Sequence, residues 1–349
     1  MARVAVIGGG YIAREHLACL NSLDGVEVVG ICDVSPVMAE ATAEQFGVAE
    51  WHTDHRKLLD ELNPDAVHVT TPPQSHSLLA GDALCSGAHV FVEKPITIET
   101  EDLIRLKGLA KYKGRMLVED HNYQFNGFVQ HILALIDSGD FGEVVHVEVS
   151  IALDITGKGS RFADPNLTHP ALSLAGGAIG DFLTHLSYLS YIFVGEHRKV
   201  RTVWQKRGAT ALPSDEFRAL IEAERGTASL VFSSHSQPNT FRLRVHGSRM
   251  RATTSMYEPL LTIERSQGAP RPLMSVLNGR AVAKAHRRAA WGGLWRKLSG
   301  RPMTYEGLWE VLARFYRAVD GDAPSPVPMR QIESVHALVK ALTSEENKM

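Results

Sequence analysis

The stretch "RVAVIGGGYIAREHLACL", Arg3 to Leu20, decides how the first third of the chain folds. Arg3 to Ile7 is a short β-branched run, and Tyr11 to Leu20 reads as a helix. Three glycines stand between them. The pattern Gly8-x-Gly10-x-x-Ala13 puts a small residue wherever a strand-to-helix turn over a dinucleotide needs one. Gly8 permits the tight turn, Gly10 lets the backbone approach a pyrophosphate, and Ala13 allows the helix to pack closely on the sheet. Tyr11 and Ile12 open the helix, where N–H groups have no partner within it and can bind an anion. Glycine alone is weak evidence, because any strand-to-helix turn can carry it. The residues after the helix strengthen the reading.

A second strand, Val26 to Cys32, ends in Asp33, where a carboxylate can hold the ribose hydroxyls of NAD. The alternative makes Asp33 a helix N-cap ahead of Ser35-Pro36. No Lys or Arg lies between Val34 and Phe46, so a 2′-phosphate would meet no cation there, and NAD is favoured over NADP. The alternation continues with a helix near His55 to Leu62, the strand "DAVHVTT", the turn "PPQSH" and a helix from about Ser77. Next come the strand "HVFVEKPIT", a helix from about Glu101 and the strand "RMLVED". Strands alternating with helices predict a parallel, doubly wound sheet, in which ligands bind beyond the carboxyl ends of the strands. Gly8, Asp33, Thr71 and Lys94 all lie just past strand ends. Glu93 and Lys94 could be a solvated strand end, but the shared edge favours a strand that delivers Lys94 into a site.

The 349 residues are 44% hydrophobic and 22% charged, enough for about two domains. A formal charge of −2 gives no general attraction to nucleic acid. Cys19, Cys32 and Cys85 lack metal-ligand spacing, so no metal is expected, and so sparse a set fits a reducing compartment. The apolar run at the N-terminus is too short for a signal peptide, and no apolar run approaches the roughly 20 residues that span a bilayer. A soluble cytoplasmic protein is expected.

After residue 120 the pattern changes from alternating units to successive strands. A helix near Phe125 to Ile136 precedes the alternating strand "EVVHVEVSIAL", and a Gly- and Pro-bearing loop covers about 156 to 173. Later segments read as a largely antiparallel sheet, with helices returning near Tyr305 and Arg330. The expected division is a dinucleotide-binding domain at 1–120 and a substrate and oligomerisation domain at 121–349. Within "GGAIGDFLTHLSYL", Asp181 and His185 are four apart on one helix face, a spacing suited to a general base with a carboxylate neighbour. Many surface helices carry that pair. Here Phe182, Leu183, Leu186 and Leu189 make the helix largely buried, and buried polar groups need partners.

Together, "VIGGGYIAREH", "TTPPQSH", "FVEKP", "DHNYQFN" and "GGAIGDFLTH" resemble, in that order, the Gfo/Idh/MocA oxidoreductases. The likeness covers nearly the whole chain, and Glu-Lys-Pro with the later Asp-x-x-x-His is its discriminating pair. It implies an N-terminal Rossmann domain and a C-terminal α/β domain whose large open sheet supports a homo-oligomer, a dimer or tetramer. It implies that Lys94, Asp181 and His185 carry chemistry at the domain junction, and that Thr71, Pro72, His76, Glu93 and Pro95 serve the cofactor side. The Lys94–Pro95 bond is a candidate for the cis form. Leu183 replaces a residue that is usually Gly, and "EDHNYQFNG" replaces a glycine-containing run, which puts the packing of substrate or nicotinamide in doubt. His121, Asn122 and His169 are candidate substrate contacts, with strand-end or loop roles as the alternative.

The implied reaction is hydride transfer between NAD(H) and a carbinol or carbonyl carbon of a sugar, cyclitol or nucleotide-sugar-like substrate. Two rivals remain: a non-catalytic NAD-responsive binding protein, and an enzyme using tightly held NAD transiently for elimination, hydrolysis or epimerisation.

A last segment, about 270–302, is not required by the family fold. From Arg265 to Tyr305 there is no Asp or Glu but nine Lys or Arg, with Trp291 and Trp295 among them. Arg280, Lys284, Arg287 and Arg288 share one helical face, and Trp291, Leu294, Trp295 and Leu298 also fall at helical spacing. Gly292 and Gly293 are expected to split the segment into two short helices. Basic residues with tryptophans suit an anionic membrane surface through 275–299, at the inner face of the membrane; a nucleotide-sugar phosphate or subunit packing are the alternatives.

Overall fold

The computed structural model describes residues 1–157, 159–160, 162–163, 169–209, 212–258, 260–266, 268–298 and 306–347. Contacts divide the chain into two compact units: Met1–Asn122 with Leu308–His336, and Tyr123–Gly307 with Ala337–Met349.

In the first unit β1 (Ala2–Ile7), α1 (Tyr11–Leu20), β2 (Val26–Cys32), α2 (Pro36–Phe46), β3 (Trp51–His52) and α3 (His55–Leu62) build one half. The other half is β4 (Ala66–Val69), α4 (Pro73–Ser86), β5 (His89–Val92), α5 (Thr100–Lys113) and β6 (Leu117–Glu119). The sheet order is β3-β2-β1-β4-β5-β6, with every pair parallel. Val4, Val6, Val67, Val69, Val90 and Phe91 have no exposed surface, as continuous apolar strands covered on both faces should. The chain winds outward from β1 to one side and from β4 to the other, so the topological switch falls at their carboxyl ends. There Gly8 has φ +106°, and a Cβ would stand 2.9 Å from the Thr70 carbonyl. Only glycine suits the turn.

The second unit carries α6 (Gly127–Asp137), β7 (Val144–Ala152), α7 (Gly180–Val194), β8 (His197–Gln205), β9 (Glu216–Ala223) and β10 (Gly226–Ser233). It continues with β11 (Thr240–Gly247), β12 (Met250–Ser255), β13 (Leu261–Arg265) and α8 (Arg271–Leu298). Its sheet runs β13-β12-β11-β7-β10-β9-β8, antiparallel except for the β7–β10 pair. α7 packs over β7 and β10. The strands alternate, so that in β9 Phe217, Ala219 and Ile221 are buried while Leu220 is 61% exposed on the outer face.

A linear cut at residue 120 does not anticipate the return of the chain. α9 (Glu306–Val319) lies in the first unit from Leu308, and α10 (Met329–Thr343) belongs to it as far as His336. Lys107 to Glu333 at 2.6 Å and Gln331 to His121 at 2.9 Å fasten this return. Strands β3, β12 and β13 go beyond those expected from sequence; β12 carries Arg and Thr on its outer positions and lacks a long apolar run.

The expectation of two short helices at 270–302 is wrong. α8 is one helix of 28 residues that runs through Gly279, Gly292 and Gly293. Each glycine costs about 1 kcal/mol relative to alanine, too little to break a helix otherwise rich in Ala, Leu, Arg and Lys. Residues 299–302 and the side chains of Leu294, Trp295 and Leu298 lie outside what is described. A Cβ at Gly279 or Gly292 meets nothing within 4 Å. Gly279→Ala and Gly292→Ala should therefore each stabilise α8 by about 0.8–1 kcal/mol. Helicity and melting measured on the full chain check this, and a loss of helix content would contradict a continuous α8.

Candidate active site

At the carboxyl edge of the parallel sheet, α1 begins after Gly10, which offers no side-chain cap. A Cβ at Gly10 would meet nothing within 4 Å, so an open cradle lies before the first N–H groups of the helix, those of Tyr11 and Ile12. The cradle and its unsatisfied donors fit a pyrophosphate.

Asp33 turns back across the same edge. Its Oδ2 accepts the Gly9 N–H at 2.8 Å and its Oδ1 the Ser35 N–H at 2.9 Å. The N-cap of α2 is Ser35, whose Oγ accepts the Met38 N–H, so the capping alternative for Asp33 does not hold. Each carboxylate oxygen keeps acceptor capacity for a ribose hydroxyl.

Thr71 and Pro72 form the turn after β4, and Thr71 Oγ1 shares a hydrogen bond with Ser75 Oγ at 2.7 Å. His76 is fully buried, with Nε2 2.7 Å from the Thr71 carbonyl and Nδ1 2.8 Å from the Pro95 carbonyl. It ties the loop after β4 to the loop after β5. Burial holds its imidazole below the ordinary histidine range, although both carbonyls pull the other way.

β5 delivers Glu93, Lys94 and Pro95 to this edge, and the Lys94–Pro95 bond is cis. Glu93 and Asp120, after β6, are both buried and share a side-chain hydrogen bond. Burial and then the Glu93 charge push the Asp120 carboxyl well up. Burial also tends to raise Glu93, but the His16 hydrogen bond and the charges of His16 and Lys94 outweigh it and hold Glu93 below the usual range. The opposed shifts favour the charge on Glu93 and the proton on the Asp120 side of the pair. Asp120 Oδ1 is buried without a hydrogen-bond partner, which is tolerable for a neutral acid and costly for an anion.

Behind Glu93 runs a buried chain that the sequence did not reveal. Glu93 Oε1 is 3.2 Å from His16 Nε2, His16 Nδ1 is 2.8 Å from His68 Nδ1, and His68 Nε2 is 2.7 Å from the Tyr316 hydroxyl. Burial holds His68 well below its ordinary range and Tyr316 well above its own. His16 Nε2–H donates to the Glu93 carboxylate, and the donor roles between His16, His68 and Tyr316 follow from the tautomers of the two imidazoles.

His121 is fully buried, with Nε2 2.9 Å from Glu119 Oε2 and Nδ1 2.9 Å from Gln331 Nε2. Both ring nitrogens are engaged within the first unit. Asn122 is 5% exposed at the start of a 3₁₀ turn.

In the second unit Asp181 is buried in the first turn of α7, where the helix dipole favours a carboxylate. His185 is half-buried one turn later on the same face. Its Nδ1 lies 2.9 Å from the Tyr188 hydroxyl, which also accepts the Tyr123 N–H at 3.2 Å. The Tyr123 ring meets His185 edge-on at 5.0 Å. Tyr188 is fully buried and was missed from sequence, although its spacing of three from His185 is the signal. Leu183 is fully buried on the other side of α7 from Asp181 and His185. His169 caps a 3₁₀ turn, with Nδ1 accepting the Ala171 N–H, and packs against Phe162.

Residues 2–121 match the profile of an oxidoreductase family with an NAD-binding Rossmann fold, and 129–253 match the GFO/IDH/MocA C-terminal domain. The chain is 28% identical over 305 residues to dTDP-3,4-didehydro-2,6-dideoxy-alpha-D-glucose 3-reductase of Streptomyces violaceoruber, covering 83% of this chain and 86% of that protein. It is 33% identical over 159 residues to glycosyl hydrolase family 109 protein 2 of Akkermansia muciniphila, covering 42% of this chain and 33% of that protein. It thus spans less than two thirds of the length of several curated relatives, from 33% to 59%. The WlbA dehydrogenase of Bordetella pertussis, solved with NADH and UDP-GlcNAcA, superposes with a TM-score of 0.76 at 18% identity, covering 98% of this chain and 94% of that one. That likeness shows the fold. With both domain profiles matched in order along one chain, the protein belongs to the Gfo/Idh/MocA family of NAD-binding oxidoreductases.

Proposed function

We propose that this chain moves hydride between NAD(H) and a carbinol or carbonyl carbon of a sugar, cyclitol or nucleotide-sugar-like substrate. The observation that carries the reading is Lys94 leaving β5 on the same sheet edge as the Gly10 cradle and Asp33, backed by the ionised Glu93. Bound NAD would supply the hydride acceptor, held by Gly8, Gly10, Tyr11, Ile12, Asp33, Thr71 and Pro72. In the oxidising direction His185 Nε2 takes the hydroxyl proton as hydride leaves the carbon, and the Lys94 ammonium stabilises the oxygen as its charge grows. For Nε2 to accept, Nδ1 must carry the ring proton and donate it to the Tyr188 oxygen. Asp181 binds a second hydroxyl or orients His185. The outer face of the large sheet, where Leu220 is exposed, is assigned to homo-oligomer contacts.

Lys94→Ala and His185→Ala should each lower kcat/KM by about 10²- to 10⁴-fold while leaving NAD affinity nearly intact. Stopped-flow absorbance of reduced nicotinamide against a panel of sugars and nucleotide sugars measures this. Near-wild-type turnover in both variants would refute the assignment. A likeness between an NAD-binding chain and a protein named as a glycosyl hydrolase favours a second reading, in which retained NAD is used transiently for hydrolysis, elimination or epimerisation. Turnover without net NADH, by protein purified with NAD bound, is its signature.

Asp33 is proposed to select NAD. Val34 beside it is 90% exposed, so a cation there disturbs no core. Asp33→Ser with Val34→Arg should shift the NADP-to-NAD affinity ratio by roughly tenfold or more, about 1.4 kcal/mol. Preference of the unaltered chain for NADP in direct binding would overturn this role.

The carboxyl pair gives a pH signature. Asp120 is raised, so the folded chain keeps a proton that the unfolded chain releases above roughly pH 4. Its contribution to stability therefore falls as pH rises from there toward its folded value. Glu93 is lowered, and its contribution is present above its unfolded value and lost as pH falls. Asp120→Asn supplies a neutral isostere. Its melting temperature relative to wild type should rise from about pH 5 to about pH 8, and an advantage that shrinks over that range would make Asp120 the ionised partner.

A further inference from the structure

α8 presents the wrong face to water. A helix on the surface of a soluble domain turns its apolar stripe to the core. In α8 the inward stripe is Met274, Asn278, Val282, Ala285, Ala289 and Gly292, the residues that are buried or half-buried at spacings of three and four. Half of them are Ala or Gly. Asn278 clamps this stripe to the end of β13, accepting the Arg265 N–H at 3.0 Å and donating to the Arg265 carbonyl at 2.9 Å. The outward stripe holds the larger apolar groups: Leu273 is 50% exposed, Val276 53%, Leu277 43% and Trp291 66%. Arg280, Lys284 and Arg287 fill the gap between Leu277 and Trp291 on that side, all exposed. Since the helix is continuous, these residues lie along one outer face about 30 Å long.

The charge is one-sided. Arg271 to Leu298 contains seven Lys or Arg and no Asp or Glu. A second copy of α8 laid on this face would set cations against cations. An anionic bilayer offers what the face lacks: phosphate and carboxylate groups for the basic residues and an apolar layer just beneath for Leu273, Leu277 and Trp291. Among the described residues no helix is long and apolar enough to cross a membrane, so α8 would lie along the surface.

We propose that α8 docks the protein on an anionic lipid surface through Leu273, Leu277, Arg280, Lys284, Arg287 and Trp291. The proposal does not depend on the hydride-transfer reading.

The test is co-sedimentation of the full chain with vesicles of phosphatidylcholine alone or with about one third phosphatidylserine, at low and physiological salt. Partitioning should be at least tenfold greater onto the anionic vesicles and should fall as salt rises. Arg280→Glu/Lys284→Glu/Arg287→Glu should reduce it at least tenfold, and Trp291→Ala should weaken it with the charge intact. These side chains are exposed, so melting and NAD binding should stay at wild-type values, and the single substitution Lys284→Gln gives a milder check. Equal recovery with neutral and anionic vesicles, or an unchanged triple variant, overturns the proposal. So does a concentration-dependent dimer without vesicles that the triple variant abolishes, because α8 would then be an interface between copies.

Discussion

The buried Glu93 carboxylate is the constraint around which the first unit is arranged. A parallel sheet buries its central strands on both faces, and β5 runs from that apolar interior directly into an acid. An ionised carboxylate left there alone would cost several kcal/mol. The fold supplies His16 from α1 as a donor, Lys94 as an adjacent cation, and Asp120 as the member of the pair that keeps the proton. Removing His16 or Asp120 would alter the electrostatics of the Glu93 carboxylate beside Lys94.

The return of the chain is tied to the same constraint. His68 lies in the middle of β4, where a plain apolar residue would fill the space, and a buried imidazole needs partners at both nitrogens. His16 satisfies one. The other is met by Tyr316 of α9, about 250 residues further along the sequence. His121 repeats the arrangement with Gln331 of α10. Segments distant in sequence thus join the Rossmann unit through hydrogen bonds to buried histidines as well as through apolar packing.

This explains why part of the molecule was legible in the sequence and part was not. The glycine turn, Asp33 and the strand-end positions of Thr71 and Lys94 come from local rules, because backbone geometry and strand direction fix where such residues lie. The parallel order of the first sheet came from alternation of elements. The partners of His16 and His68 could not be read, since each contact joins residues separated by 52 to 248 positions and depends on tertiary packing. The role of Tyr188 was within reach, because its spacing from His185 is local, but apolar neighbours made it resemble core. In α8 a local rule misled: two glycines looked like a break, while the surrounding helix formers outweighed their cost.

The two units also hold their proposed reactive groups by different means. Lys94 comes directly after a strand whose acid is fixed by a network of charges and hydrogen bonds, so its surroundings respond to protonation. His185 rides on a helix packed over the sheet and is aligned by a neutral phenol and an aromatic edge. A phenol orients the ring through a hydrogen bond and brings no charge of its own. That suits the role proposed for His185, accepting a proton and releasing it again within one cycle. Asp181, one turn earlier on the same face of the helix, adds a buried carboxylate to this side of α7, where the helix N-terminus favours its charge.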